Sequence, residues 1–175
     1  MKKTTRTLLL SAIAALVPTA IAATDGPEVP AWMEVDNAAK TVKMTLVAGQ
    51  TTANNNWNMN GFANGEATIV VPNGYSVEIV FQNNDPTMMV HSIGVGRVDE
   101  IQTPLFTNPT PVFAGAMSTA PADPVNATKS GATETLKFVA NAAGDYALIC
   151  YVPGHNLTGM WLGFRVSEDG AVGVE

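Results

Sequence analysis

Cys150-Tyr151-Val152-Pro153-Gly154-His155-Asn156-Leu157-Thr158-Gly159-Met160 holds the only cysteine of this 175-residue chain and one of its two histidines. Four residues separate the thiol from the imidazole, and four more separate the imidazole from the thioether. The other histidine, His91, lies 59 residues before Cys150. One thiolate, two imidazoles and a thioether are the donor set of a blue-copper site, in which Cys and both His form a trigonal plane and Met sits weakly on the axis. Taken singly, each residue has an ordinary structural reading. A lone Cys is a small buried hydrophobe, a lone His is a satisfied core or surface residue, and a Met after Gly is packing. The joint spacing, and the use of every His and the only Cys, favour the metal reading with His91, Cys150, His155 and Met160 as ligands.

The local sequence suits that chemistry. Cys150 is expected to end a strand, which holds its sulfur at the edge of a sheet. Pro153-Gly154 turns the chain so that His155 returns beside the sulfur, and Gly159 makes a second bend that presents Met160. His91 is expected on a neighbouring strand over residues 88–95. Soft thiolate and thioether favour Cu(I), while imidazole tolerates both oxidation states. Structural zinc sites use four strong N or S ligands, and a thioether is a poor one. A Cys-His nucleophilic pair would leave His91 and Met160 unexplained and has no evident orienting partner. A dinuclear copper centre needs a second Cys in the loop, and multicopper oxidase chemistry needs many more His.

Working outward, alternation at period two predicts half-buried strands. Val42, Met44 and Leu46 oppose Thr41, Lys43 and Thr45. Val77, Ile79 and Phe81 alternate with Ser76, Glu78 and Gln82. Leu136 and Phe138 flank Lys137, Tyr146, Leu148 and Cys150 share a face, and so do Leu162, Phe164 and Val166. Pro72-Asn73-Gly74 and Ala143-Gly144-Asp145 mark turns. Helical periodicity is scarce. The expectation is an all-β, Greek-key antiparallel two-sheet sandwich without an internal repeat. Residues 51–56, with three consecutive Asn, read as a polar loop. Residues 97–131, with Pro104, Pro109, Pro111, Pro121 and Pro124, read as an ordered excursion over one side, with one short strand over 112–116. The sequons Asn126-Ala127-Thr128 and Asn156-Leu157-Thr158 are taken as chance, since the second falls inside the ligand loop.

Residues 1–22 read as a secretory signal peptide. Lys2, Lys3 and Arg6 precede an apolar run over 8–17, too short to span a bilayer, and Ala20-Ile21-Ala22 is a small-x-small cleavage site. Residues 23–175 would then form a single domain of about 150 residues, enough for a real core. The leader removes three of nine basic residues and no acidic one, so the net charge goes from −6 to −9. Such an acidic chain is a poor candidate for nucleic-acid or anionic-membrane binding and suits a basic protein partner. One Cys makes no internal disulfide, and coordination would protect a free thiol outside the cytoplasm.

With those residues in view, the chain resembles the cupredoxins, and among them the sulfocyanin and rusticyanin group. Gly154-His155-Asn156-Leu157-Thr158-Gly159-Met160-Trp161 is similar to the sulfocyanin ligand loop. Ile69-Val70-Val71-Pro72-Asn73-Gly74-Tyr75-Ser76-Val77 resembles the strand-turn-strand before the first His. Asn58-Met59-Asn60-Gly61 is similar to the family's Asn-rich motif, although the residues after Gly61 depart from it. The resemblance implies one type 1 copper ion held by His91, Cys150, His155 and Met160. It also implies a non-enzymatic one-electron carrier working as a monomer in a respiratory chain, periplasmic or otherwise extracytoplasmic, with a cytochrome or terminal oxidase as partner. Periplasmic copper storage or delivery is the alternative, although the eight Met form no M-x-x-M tract. The edge of His155 is the expected electron port, with Val152, Pro153 and Leu157 as an apolar docking patch. Ser92, after the first ligand as in rusticyanin-like proteins, is expected to mark a dry site with few hydrogen bonds to sulfur and a high reduction potential. Phe62, Met88, Met89 and Trp161 are the candidates for that dry shell.

Overall fold

The computed structural model describes residues 26–175, so the expected leader lies outside the described residues. The strands are β1 (Met33–Asp36), β2 (Thr41–Ala48), β3 (Thr68–Pro72), β4 (Tyr75–Asn83), β5 (Gly94–Gly96), β6 (Thr133–Ala140), β7 (Gly144–Ile149), β8 (Trp161–Ser167) and β9 (Gly173–Val174). Among the described residues there is no α-helix, only a 3-10 segment over Val98–Gln102 and a tight turn over Ala53–Asn56. One sheet has the order β1-β2-β4-β6, and the other has the order β5-β7-β8-β3-β9.

The expected alternation places the core. Leu46, Ile79, Phe81 and Leu136 of the first sheet meet Ile69, Leu148, Leu162 and Phe164 of the second. Each such fully buried large side chain contributes about 1.5–3 kcal/mol over its exposed state. Cys150, Met160 and Val152 belong to the same cluster, so the ligand loop is rooted in the core. The second sheet is buried on its outer face too. Ala147, Ile149 and Tyr151 pack there against Ile101, Phe106 and Met117 of the 97–131 excursion. Phe113 of that excursion stacks on Phe138 at a centroid separation of 5.7 Å.

Three expectations need correction. The sandwich is mixed rather than antiparallel: β2 pairs with β4 in parallel, as β3 does with β8. Between β2 and β4 the chain crosses to the other sheet as β3 and returns, so two reversals leave β2 and β4 running the same way. Secondly, residues 88–95 form no continuous strand. Pro86 lacks a backbone donor, Met88 takes φ 66°, and His91 makes only a single bridge to Thr128 before β5 begins at Gly94. Thirdly, residues 112–116 are not a strand. Val112 donates to Val95 O and Val95 donates to Ala116 O, but Gly115 at φ 89° breaks the extension. The segment still caps the outer edge of β5, an edge that would otherwise be open to pairing.

The connection from β4 to His91 hangs on Asn83, which is fully buried at the end of β4. Its Nδ2 donates to Met89 O and Thr128 O, both at 2.8 Å, and its Oδ1 accepts from Asp85 N at 3.0 Å. Asn83→Ala leaves Met89 O and the Asp85 amide without these partners, and Thr128 O keeps only its bond from His91 N. The substitution is expected to cost about 1–3 kcal/mol of unfolding free energy, read from the denaturant midpoint. An unchanged midpoint would mean that Asn83 does not anchor this segment.

Candidate metal centre

Cys150 directly follows β7, and Met160 directly precedes β8. The two strands are antiparallel with Ile149 opposite Trp161, and the pairing continues into the loop as Cys150 N donates to Met160 O at 3.1 Å. The loop then closes on itself: His155 N donates to Val152 O, and Met160 N donates to His155 O at 2.9 Å. Gly159 is required by both conformation and space. Its φ is 97°, and a Cβ there would collide with the side chain of Asn64, whose backbone N donates to Gly159 O. Asn156 is buried, and its Nδ2 donates to Ile101 O at 2.9 Å and Thr103 O at 2.8 Å. That sequon is therefore spent on tying the ligand loop to the excursion.

The structure brings His91, Cys150 and His155 together, with their donor atoms all within 4.8 Å of one another. His91 Nδ1 lies 3.2 Å from His155 Nδ1, and Cys150 Sγ lies 3.5 Å from His155 Nδ1. Met160 has no exposed surface and lies in the same buried cluster as Cys150.

The far side of His91 explains its orientation. Its Nε2 lies 2.8 Å from Asp85 Oδ2, with both side chains fully buried. Burial pushes the Asp85 carboxyl up, but hydrogen bonds from Thr87 and His91 outweigh this and hold it below its ordinary value. Thr87 supplies its backbone N at 2.7 Å and its hydroxyl at 2.6 Å. An ionised carboxylate only accepts, so the proton of His91 sits on Nε2 and Nδ1 presents a lone pair to the cluster. Burial pushes the His91 pKa down, with Asp85 opposing. Burial and the neighbouring His91 lower His155 to about 4. Both imidazoles are thus neutral near pH 7 and able to bind a metal. Burial raises the Cys150 thiol pKa, and hydrogen bonds from Ser92 and Val152 partly offset this. A bound cation inverts that balance, because a coordinating thiol is deprotonated. Two neutral imidazoles and a thiol enclosed without solvent fit a metal ion of the kind the donor types select.

Several peripheral expectations change. Ser92 is in contact with sulfur rather than withheld from it: its N donates to Cys150 Sγ at 3.4 Å, and its Oγ lies 3.7 Å away. Since Ser92 Oγ accepts from Tyr151 N at 2.8 Å, its own proton is free to point at the thiolate. Met88 is 74% exposed and Met89 is 38% exposed, so neither is a dry shell, whereas Phe62 and Trp161 are partly buried. Of the expected patch, Val152 is buried and Leu157 is exposed. His155 itself is only 3% exposed, because the ring of Trp57 stacks on it with centroids 4.1 Å apart and planes at 22°.

Asp85 and Trp57 are the two residues that sequence reasoning missed. The signal for the first is Asn84-Asp85-Pro86-Thr87, a turn in which an Asp side chain caps the backbone two residues on. The signal for the second is the run Asn54-Asn55-Asn56, all three at positive φ. Asn is one of the few residues that tolerates this region.

Residues 30–174 match the family model described as the Sulfocyanin (SoxE) domain. A curated sulfocyanin of Sulfolobus acidocaldarius is 28% identical over 124 residues, covering 70% of this chain and 61% of that protein. The match therefore spans less than two thirds of that relative's length. Crystal structures of rusticyanin variants are 20% identical over 78% of this chain and 86% of theirs, with a TM-score of 0.50. Dithionite-reduced auracyanin from Roseiflexus castenholzii is 20% identical over 71% of this chain and 96% of its own, with a TM-score of 0.48. The rusticyanin likeness bears on the fold, a cupredoxin β-sandwich. With nearly all of its described residues inside the family match, the chain belongs to the sulfocyanin family, cupredoxins whose cofactor is a type 1 copper ion.

Proposed function

We propose that the protein is a one-electron carrier outside the cytoplasmic membrane, with His91, Cys150, His155 and Met160 as the ligands of one type 1 copper ion. The observation that carries this reading is the convergence of His91 Nδ1, His155 Nδ1 and Cys150 Sγ in a site closed to solvent. Bound there, copper supplies a one-electron Cu(I)/Cu(II) couple. The protein's part is to hold donors that suit both oxidation states in one arrangement. Asp85 fixes the first imidazole, the loop backbone fixes the second, and β7 fixes the sulfur.

Burial of all four residues argues against copper storage or delivery, which needs an open, exchangeable site. A four-donor site also leaves no position for a substrate, which favours a carrier over an enzyme. The sequence of residues 1–22 supports an extracytoplasmic location with 23–175 as a single domain. Among the described residues no helix is long and apolar enough to cross a membrane. The carrier would act as a monomer in a respiratory chain, between a cytochrome or similar donor and a terminal oxidase.

The copper-loaded protein is expected to show an intense thiolate-to-copper absorption band that bleaches on reduction and is missing from Cys150→Ala. A colourless wild-type protein would sink the carrier reading. Asp85→Asn keeps the shape but removes the charge that holds His91. Copper affinity is expected to fall about 10–100-fold, with a rise in reduction potential because a negative charge beside the site stabilises Cu(II). Competition with a chelator and redox titration measure the two effects, and an unchanged affinity would reduce Asp85 to packing. Ser92→Ala removes the hydroxyl whose proton is free to point at the sulfur and is expected to lower the reduction potential, because a hydrogen bond to the thiolate favours Cu(I), and a titration without a shift would remove Ser92 from the account.

A further inference from the structure

His155 does not reach the surface by itself. Its exposed edge amounts to 3% of the residue, and the nearly parallel ring of Trp57 covers it at 4.1 Å. Trp57 is only partly buried, so an aromatic plane spans from the second imidazole to the protein surface. The plane is held there by a built support. Trp57 N donates to Asn54 O at 3.0 Å, and Asn54 Nδ2 donates to Trp57 O at 2.8 Å and to Thr158 O of the ligand loop at 2.9 Å. Buried Asn58, the next residue in the chain, donates to Thr51 O and Ala53 O, each at 2.8 Å. Three consecutive left-handed residues are costly for any side chain but Asn or Gly. Here they bend the chain so that the indole lies on His155.

The surroundings suit a contact surface. Trp57 and His155 share a depression with Met88, Met89, Pro124 and Pro153, and no residue lining it carries a charge. Met is a deformable, polarisable surface residue. A redox protein seated in this depression would meet more of the Trp57 ring than of the imidazole, which is 3% exposed.

On the carrier reading above, we infer that Trp57 is the electron port of this protein, a stacked aromatic bridge between His155 and the redox partner. One electron passes between a one-electron redox protein and the centre held by His155. The indole is neither oxidised nor reduced, no bond forms or breaks, and no proton moves. Trp57 is a coupling residue and not a ligand.

The test is electron self-exchange of the copper-loaded protein, measured by NMR line broadening in mixtures of its reduced and oxidised forms. This uses the chain as its own partner. Trp57→Leu keeps a bulky side chain over His155 but removes the aromatic plane, and Trp57→Phe keeps a plane. The Leu variant is expected to exchange on the order of tenfold more slowly, with the visible spectrum and reduction potential of the wild type, while the Phe variant keeps most of the rate. A Leu variant that exchanges as fast as the wild type, or faster, would make Trp57 a mere lid. Equal loss in both variants would assign the effect to shape. A shifted spectrum or potential in the Leu variant would place Trp57 in holding the centre instead. Each of these three results overturns the inference. Failure of the carrier reading is distinct, since the wild-type protein would then lack the absorption band or show no exchange.

Discussion

A buried hydrogen bond from His91 Nε2 to Asp85 decides which nitrogen of the first imidazole faces Cys150 and His155. A carboxylate without exposed surface is expensive unless its oxygens are satisfied. Asp85 meets that condition with Thr87 on one oxygen and His91 on the other. The segment that carries the carboxylate is pinned in turn by Asn83 at the end of β4, and Ser130 Oγ donates to Asp85 O. The chain of dependence runs from the first sheet, through the buried side chains of Asn83 and Asp85, to one lone pair. Low dielectric strengthens each bond in it and makes the loss of any one costly.

The two sides of the centre are built on different principles. On the His91 side the constraint is polar and internal. On the His155 side the loop backbone holds the ring beneath an aromatic cover at the surface, where the ligand loop is flanked by the Asn turn and anchored by Asn156 to the excursion. Between them the Cys150 sulfur is fixed by its place directly after β7 and touched by Ser92 from the segment leading into β5. A hydrogen bond to sulfur is one of the levers that set the potential of such a site. Ser92 holds it in a rigid place, because its oxygen is also bonded to Tyr151 N.

The residues we propose as ligands are legible because chemistry-bearing residues are scarce in this chain: one Cys and two His leave few combinations. The strands were legible where one face is buried and the other wet, as in β2, β4 and β6. Parallel pairing was not, because alternation reports which face is buried and is silent about the direction of the neighbour. The strand expected around His91 failed for a related reason. Its apolar residues are there, but Pro86 and the left-handed Met88 turn the backbone out of the ladder. On composition the Asn run reads only as a polar loop, while its role lies in backbone conformation. Asp85 is not legible because a carboxylate six residues before a histidine looks like any other turn residue until its burial is known.

The strand register has a consequence for the order of events in folding. His91 reaches Cys150 only through the stretch whose β5 residues pair Gly94 with Ile149 on β7, and β7 in turn must lie against β8. The full donor set therefore exists in no short fragment of the chain. In a zinc finger the metal drives the collapse of an otherwise unfolded peptide. Here the sandwich has to close first, over contacts distant in sequence and hence slow to form. Uptake of copper by all four donors would thus be a late step and a signature of a finished molecule.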